Sequence, residues 1–407
     1  MSSEPHARLH ALDGLRGTMM LLGLVFHGAC SYVTTNITKV WPYHDAAQSP
    51  AADLLMSFLH AFRMPIFFVL AGFFAAMMLE KRGLRGLLTN RFQRIAVPFA
   101  VGLLVVFPLT TFAFYFANTA ASAGLNEGWS MVVTLAGRAT TYLPRITLHL
   151  WFLYYLLYFY VGAVVIAALA QRLPHSVRAG IVRAFRALAA QPVLRVALPA
   201  VVTAATLAPM GGYLVTGVAF TPDVYVVLAY GLFFGFGWLL YAQRDLLGSF
   251  RRFAWTQVLG ASAFYLAVKY LVAPAFGDEP YTGAALALWS ATGGIVAWMM
   301  FFGCTGLFLR YFDKPSAFAR YIVDGSYWVY LVHLPVLMMI VGLLSNSSLP
   351  SELRMAVAIF VTTAVGFLSY DLLVRATFIG RVLNGQKYPR LLSLPAIHAG
   401  VPKPASR

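Results

Sequence analysis

Apolar stretches of about twenty residues recur throughout the chain, each long enough to cross the hydrocarbon of a bilayer as a helix. We read ten such spans, at 15–35, 57–79, 95–118, 148–170, 193–216, 222–242, 255–273, 282–309, 321–345 and 354–375. Inside hydrocarbon a backbone can satisfy its own polar groups only as helices or a closed barrel, and runs of this length select helices. The expected fold is all-α, a polytopic membrane protein with about ten transmembrane helices. Composition agrees: 60% of the residues are hydrophobic and only 11% charged, where a soluble domain carries about 25% charged residues. The organisation expected is an N-terminal segment 1–14, one transmembrane domain 15–375, and an irregular tail 376–407 with Pro389, Pro395, Pro402 and Pro404. The first apolar run is longer than a signal-peptide core and ends in no small-x-small cleavage site, so it is expected to be retained.

The formal net charge is +16, which in a soluble protein would suggest a nucleic-acid surface. Here the placement of the charge decides. With the N-terminus in the cytoplasm, the inner loops and tails hold 24 of the 30 Lys and Arg residues, among them Lys81, Arg82, Arg85, Arg172, Arg178, Arg183, Arg186 and Arg195. The outer loops hold Lys39, Arg138, Arg145 and Arg354, and Arg63 and Lys269 lie within spans. This asymmetry follows the positive-inside rule and puts both termini in the cytoplasm. The partner it implies is the lipid bilayer, and no nucleic acid.

An ionisable side chain within a span costs several kcal/mol and is a functional candidate for that reason. The first span reads LDGLRGTMMLLGLVFHGACSY, from Leu12 to Tyr32, and contains Asp13, Arg16 and His27. Eleven helical steps bring Arg16 and His27 to one face, roughly 16 Å apart along the axis. Asp13 shares that stripe and can pair with Arg16. Histidine is the side chain best suited to proton transfer near neutral pH, which makes His27 a candidate general base. The competing reading is a histidine that bonds a neighbouring helix, above an interfacial ion pair. No Asp or Glu falls near the middle of a span, which weakens a proton-coupled transport reading.

Further polar groups follow along the chain. HAFRMPIFFVLAGFF carries His60 and Arg63 near the outer end of the second span, with Pro65 expected to disturb the helix beside them. Arg91 and Arg94, in NRFQRIAVP, offer two guanidinium forks that suit phosphate. They serve equally well as positive-inside anchors. His149 and Trp151 open HLWFLYYLLYFY, as an interfacial aromatic belt or as groups suited to carbohydrate. Ser326 and His333 lie seven residues apart in DGSYWVYLVHLPV, with His333 at about the depth of His27.

These stretches, in this order, resemble the acyltransferase-3 family of membrane O-acyltransferases over about 10–375. The resemblance implies transfer of an acyl group, with succinyl and acetyl as candidates, from cytoplasmic acyl-CoA to a hydroxyl of an extracytoplasmic glucan or other polysaccharide. It further implies a place in the bacterial inner membrane. By the same resemblance Arg16 and His27 carry the chemistry, with Asp13 beside them, and Arg91 and Arg94 handle acyl-CoA. His60, Arg63, His149, Trp151, Ser326 and His333 are then candidates for the acceptor side. No tightly bound cofactor and no metal are expected, acyl-CoA being a substrate. Two other classes compete: a transporter or flippase for a glycan or lipid-linked substrate, and a haem or metal protein using His27 and His333.

Overall fold

The computed structural model describes residues 9–38, 40–276 and 281–391. Every regular element among these is helical. The chain begins with α1 (His10–Cys30), α2 (Pro50–Arg91), α3 (Val97–Ala123) and α4 (Leu125–Ala136). It continues through α5 (Trp151–Ala170), α6 (His175–Ala190), α7 (Leu194–Leu207), α8 (Val224–Ala242) and α9 (Ala254–Ala267). The last are α10 (Gly283–Tyr311), α11 (Ala317–Leu344), α12 (Ser351–Ser369) and the short α13 (Phe378–Asn384). Several starts are written locally. Ser49 caps α2, which opens with Pro50, the Asp223 carboxylate accepts from the Tyr225 and Val226 amides of α8, and Ser316 caps α11. Each side chain satisfies an amide that has no partner within its own helix.

Seven stretches among the described residues are long and apolar enough to cross a membrane, and eight if the bent pair 175–210, angled at 108°, is one span. The ten expected spans map onto these unevenly, for physical reasons. Pro50–Ala123 is helical over 74 residues, about 110 Å at the helical rise per residue, far more than one crossing of a hydrocarbon layer about 30 Å thick. It contains the expected spans 57–79 and 95–118, separated by a break at Gly83 (φ 64°, ψ −178°) and a π-helical segment at Phe92–Ala96. The expected span 193–216 is the short α7, folded back against α6. The expected span 15–35 is α1, which stops at Cys30 and is not among the seven.

Three local expectations need correcting. Pro65 lies inside α2 without breaking it, since the only non-helical backbone there is at Gly83. Arg195 and Arg354 are buried structural cations rather than loop charges. The Arg195 guanidinium lies 4.8 Å from the Phe250 ring and 4.9 Å from that of Phe302, and Arg354 grips the Asp45 carboxylate at 3.0 and 3.1 Å. The segment after 376 begins with α13 and docks through a bond from Arg375 to the Pro389 carbonyl. Pro395, Pro402 and Pro404, like residues 1–8 and Lys39, lie outside the described residues.

The helix that carries Arg63 is held against α8 by missing side chains. A Cβ on Gly72 would meet the Phe234 carbonyl, and one on Gly237 would meet the Val69 carbonyl. Small residues let membrane helices approach this closely. Because both obstacles are backbone, neither can swing aside. Gly237→Leu should therefore reduce the yield of folded protein and lower its thermal transition, read by fluorescence-detected size exclusion. Gly235→Leu, where a Cβ meets nothing, should leave both near wild type.

Candidate active site

The polar face expected on α1 is present. Arg16, Met20, Gly23 and His27 follow one another at helical spacing along the unbroken helix. Asp13 pairs with Arg16 at 3.4 Å, as its position three residues earlier allows. His27 falls in the last turn of α1, not in the middle of a span.

His27 meets His333. The Nδ1 of His27 lies 2.8 Å from the Nε2 of His333, and the Nδ1 of His333 lies 2.7 Å from the Tyr330 carbonyl. A carbonyl can only accept, so Nδ1 of His333 carries a proton, and in the neutral ring its Nε2 is the acceptor. His27 therefore donates from Nδ1, and its own Nε2 keeps a free lone pair. The α11 backbone thus sets the tautomer of His333, and His333 sets that of His27. A base oriented through its second nitrogen is one arrangement that can serve general-base catalysis.

Other expected residues gather around this pair. The ring of His149 is 5.0 Å from that of His333 and 6.4 Å from that of His27. His149 is anchored through Nε2 on the Leu331 carbonyl at 3.1 Å, while the His149 carbonyl accepts a bond from the Tyr330 hydroxyl at 2.8 Å. His60 is tied through Nε2 to the Leu214 carbonyl at 2.5 Å and stacks on Phe26. A small cavity of about 20 Å³ is lined by Met20, His27, Arg63, His149, Trp151 and Tyr330, among others. Water-sized space of that amount holds roughly one water molecule. His149 and Trp151 are each 5% exposed and Arg63 7%, so these residues form the wall of a closed site rather than a rim open to solvent. Ser326 packs α11 against α1, with its hydroxyl bonded to the Val323 carbonyl at 2.8 Å and near the Met20 sulfur.

At the other end of the α1 face the basic residues converge. Arg94 lies within electrostatic reach of Arg16, Arg91 and Arg82, and Tyr327 feels Arg94, Arg16 and Arg91 together. The Arg91 guanidinium covers the Tyr160 ring at 4.7 Å. The Tyr327 hydroxyl donates to the Arg94 carbonyl at 2.6 Å and so ties α11 to the π-helical segment. The sequence suggested the pair Arg91 and Arg94, and the fold adds Arg16.

The loop between α1 and α2 was overlooked. Trp41 lies parallel to the His27 ring at 5.5 Å and is fixed by an Nε1–H bond to Ser31. Its loop is pinned on one side by Asp53, which accepts four bonds from Thr34 and Thr35, and on the other by the Asp45–Arg354 pair. The available signal was WPYHD at Trp41–Asp45, a dense aromatic and acidic cluster between the first two helices.

A histidine pair beside a small cavity, joined by one helix face to a basic cluster, is an arrangement of apolar helices that can take up a proton at one end and hold an anion at the other. The chain belongs to the acyltransferase-3 family, whose model, described as an acyltransferase domain, matches residues 9–371. It is also similar to the glucans biosynthesis protein C of Salmonella schwarzengrund (strain CVM19633), of Salmonella typhi and of Salmonella typhimurium. With each it is 33% identical over 153 residues, 38% of this chain and 37% of the relative. The match therefore spans well under half the length of these relatives. No solved structure matches.

Proposed function

We propose that the protein transfers an acyl group from cytoplasmic acyl-CoA to a hydroxyl of an extracytoplasmic glucan or other polysaccharide, in the bacterial inner membrane with both termini in the cytoplasm. The observation that carries this reading is the His27–His333 bond, which leaves a fixed, unpaired Nε2 on His27. Membership of an acyltransferase family supports acyl transfer, and the name of the glucan relatives supports the acceptor class.

In this mechanism the Nε2 of His27 takes the proton of the acceptor hydroxyl as its oxygen bonds to the thioester carbon. The carbonyl π electrons move onto oxygen. Collapse of that intermediate breaks the carbon–sulfur bond, and the leaving thiolate recovers the proton from His27. The products are the ester and free coenzyme A. Arg16, Arg91 and Arg94 hold the donor's phosphates. The α1 face from Arg16 to His27, roughly 16 Å long by helical rise, is a path that the extended pantetheine arm follows to the base. His60, His149 and Trp151 line the acceptor side, and Ser326 holds α11 in register.

Losing a charge-assisted bond costs about 1.5–3 kcal/mol, so Arg91→Ala and Arg94→Ala should each raise the KM for acyl-CoA by roughly ten- to a hundredfold with little change in kcat. Donor titrations of purified protein check this. Unchanged donor affinity, with altered topology or amount, would make these arginines anchors. For the acceptor, mass spectrometry of cellular glycans with and without the protein should show an ester that depends on it, and identical glycans would contradict the polysaccharide assignment.

A further inference from the structure

One buried charge remains unused. Arg63 of α2 forms no ion pair and no hydrogen bond among the described residues, and its Nε is buried without a partner. Its guanidinium carbon sits 5.2 Å from the centre of the Phe26 ring. Gly23 of α1 makes room for it, since a Cβ there would lie 2.8 Å from Nη1. The groups that act on it are Tyr230, Tyr330 and Cys30, and it acts in turn on His27, His60 and His333. None of these is a carboxylate.

A cation taken out of water without an anion costs several kcal/mol, and a desolvated cation–π contact returns about 2 kcal/mol. Phe26 does not offset that penalty. Negative charge arriving beside the guanidinium relieves the deficit. The place for it is set by the cavity that Arg63 shares with His27, which has about 20 Å³ and accommodates a single small group. Negative charge confined there sits at the base itself, not at the far end of a ligand. Acyl transfer creates one such charge, on the former carbonyl oxygen of the thioester.

We propose that Arg63 is the oxyanion-stabilising residue of this site. The assignment rests on the acyl-transfer reading above. As the hydroxyl oxygen bonds to the thioester carbon, the carbonyl π electrons settle on oxygen next to the guanidinium. They return when the carbon–sulfur bond breaks, and Arg63 neither gains nor loses a proton. The charge is therefore uncompensated in the free enzyme and paired in the transition state, which is the differential stabilisation that accelerates a reaction.

The test uses purified full-length protein with an oligoglucoside acceptor and two donors, neutral acetyl-CoA and anionic succinyl-CoA. Arg63→Gln should lower kcat by about 10²–10³-fold, the effect typical of one lost oxyanion donor. The loss should be equal for every donor the wild type accepts, with the donor KM little changed. Should Arg63→Gln fail to elute as folded protein, Arg63→Lys decides. It keeps the charge but loses the planar fork, and should lower kcat about tenfold for each accepted donor. A loss confined to succinyl-CoA in an enzyme that also uses acetyl-CoA, or a loss that appears in the succinyl-CoA KM and not in kcat, would overturn the proposal and make Arg63 a holder of the donor's carboxylate. An unchanged kcat in the folded variant would overturn it too. If the wild type uses neither donor, the acyl-transfer reading fails and the assignment falls with it, an outcome distinct from an active wild type with a tolerant Arg63.

Discussion

His27→Ala is expected to lower acyl transfer by about 10²–10⁴-fold, the usual loss when a general base is removed. Initial rates at saturating donor and acceptor measure it. The effect is large because the two neighbouring rings keep their unpartnered nitrogen, Nδ1, fully buried. His60 and His149 are both anchored through Nε2 on backbone carbonyls, whereas His27 holds His333 through Nδ1 and leaves Nε2 free. Substitution also strips His333 Nε2 of its partner, which costs about 1–3 kcal/mol of stability. The protein should nonetheless reach the membrane folded, because α1 is secured along its length by buried Leu12, Leu15, Met19 and Leu24. A His27→Ala enzyme with wild-type rate would remove the base from the mechanism.

The second large effect is expected at His333, a positioning residue. His333→Leu fills similar space but gives His27 Nδ1 nothing to bond, so the imidazole is free to turn and to change tautomer. Losing a bond that strengthens as His27 takes up charge costs about 1.5–3 kcal/mol, or roughly ten- to a hundredfold in kcat, with both KM values little changed. His333→Gln supplies a side-chain carbonyl as acceptor and should restore part of the rate. A purely structural role would not distinguish the two variants at equal folded yield. Equal kcat for Leu and Gln would contradict the relay from Tyr330 through His333 to His27.

Helix class and most helix positions were legible in the sequence because hydrocarbon permits little else over such long apolar runs. The face joining Arg16 to His27 was legible too, since it depends only on helical geometry within one element. Relations between elements were not. The meeting of His27 with His333, 306 residues apart, follows from how α1 packs on α11, and helical period does not encode that. Arg63 and His149 read equally well as anchors near helix ends, because sequence distance from a helix end does not reveal the rings that enclose them, Phe26 beside Arg63 and Tyr330 and His333 beside His149. The same blindness made Arg354 an outer-loop charge, when it closes the Trp41 loop on Asp45. Pro65 misled differently: its missing N–H suggests a break, but the helical backbone of α2 continues through it among the buried Met64 and Ile66.

In the proposed reaction a donor from one side of the membrane and an acceptor from the other meet at His27. Sealed proteoliposomes test it directly, with acyl-CoA trapped inside, oligoglucoside outside, and the external acceptor analysed by mass spectrometry. Acyl ester on the external acceptor is expected with wild-type protein, and its loss with His27→Ala at equal incorporation. Ester forming only when donor and acceptor share a compartment, or forming equally with His27→Ala, would contradict that reaction.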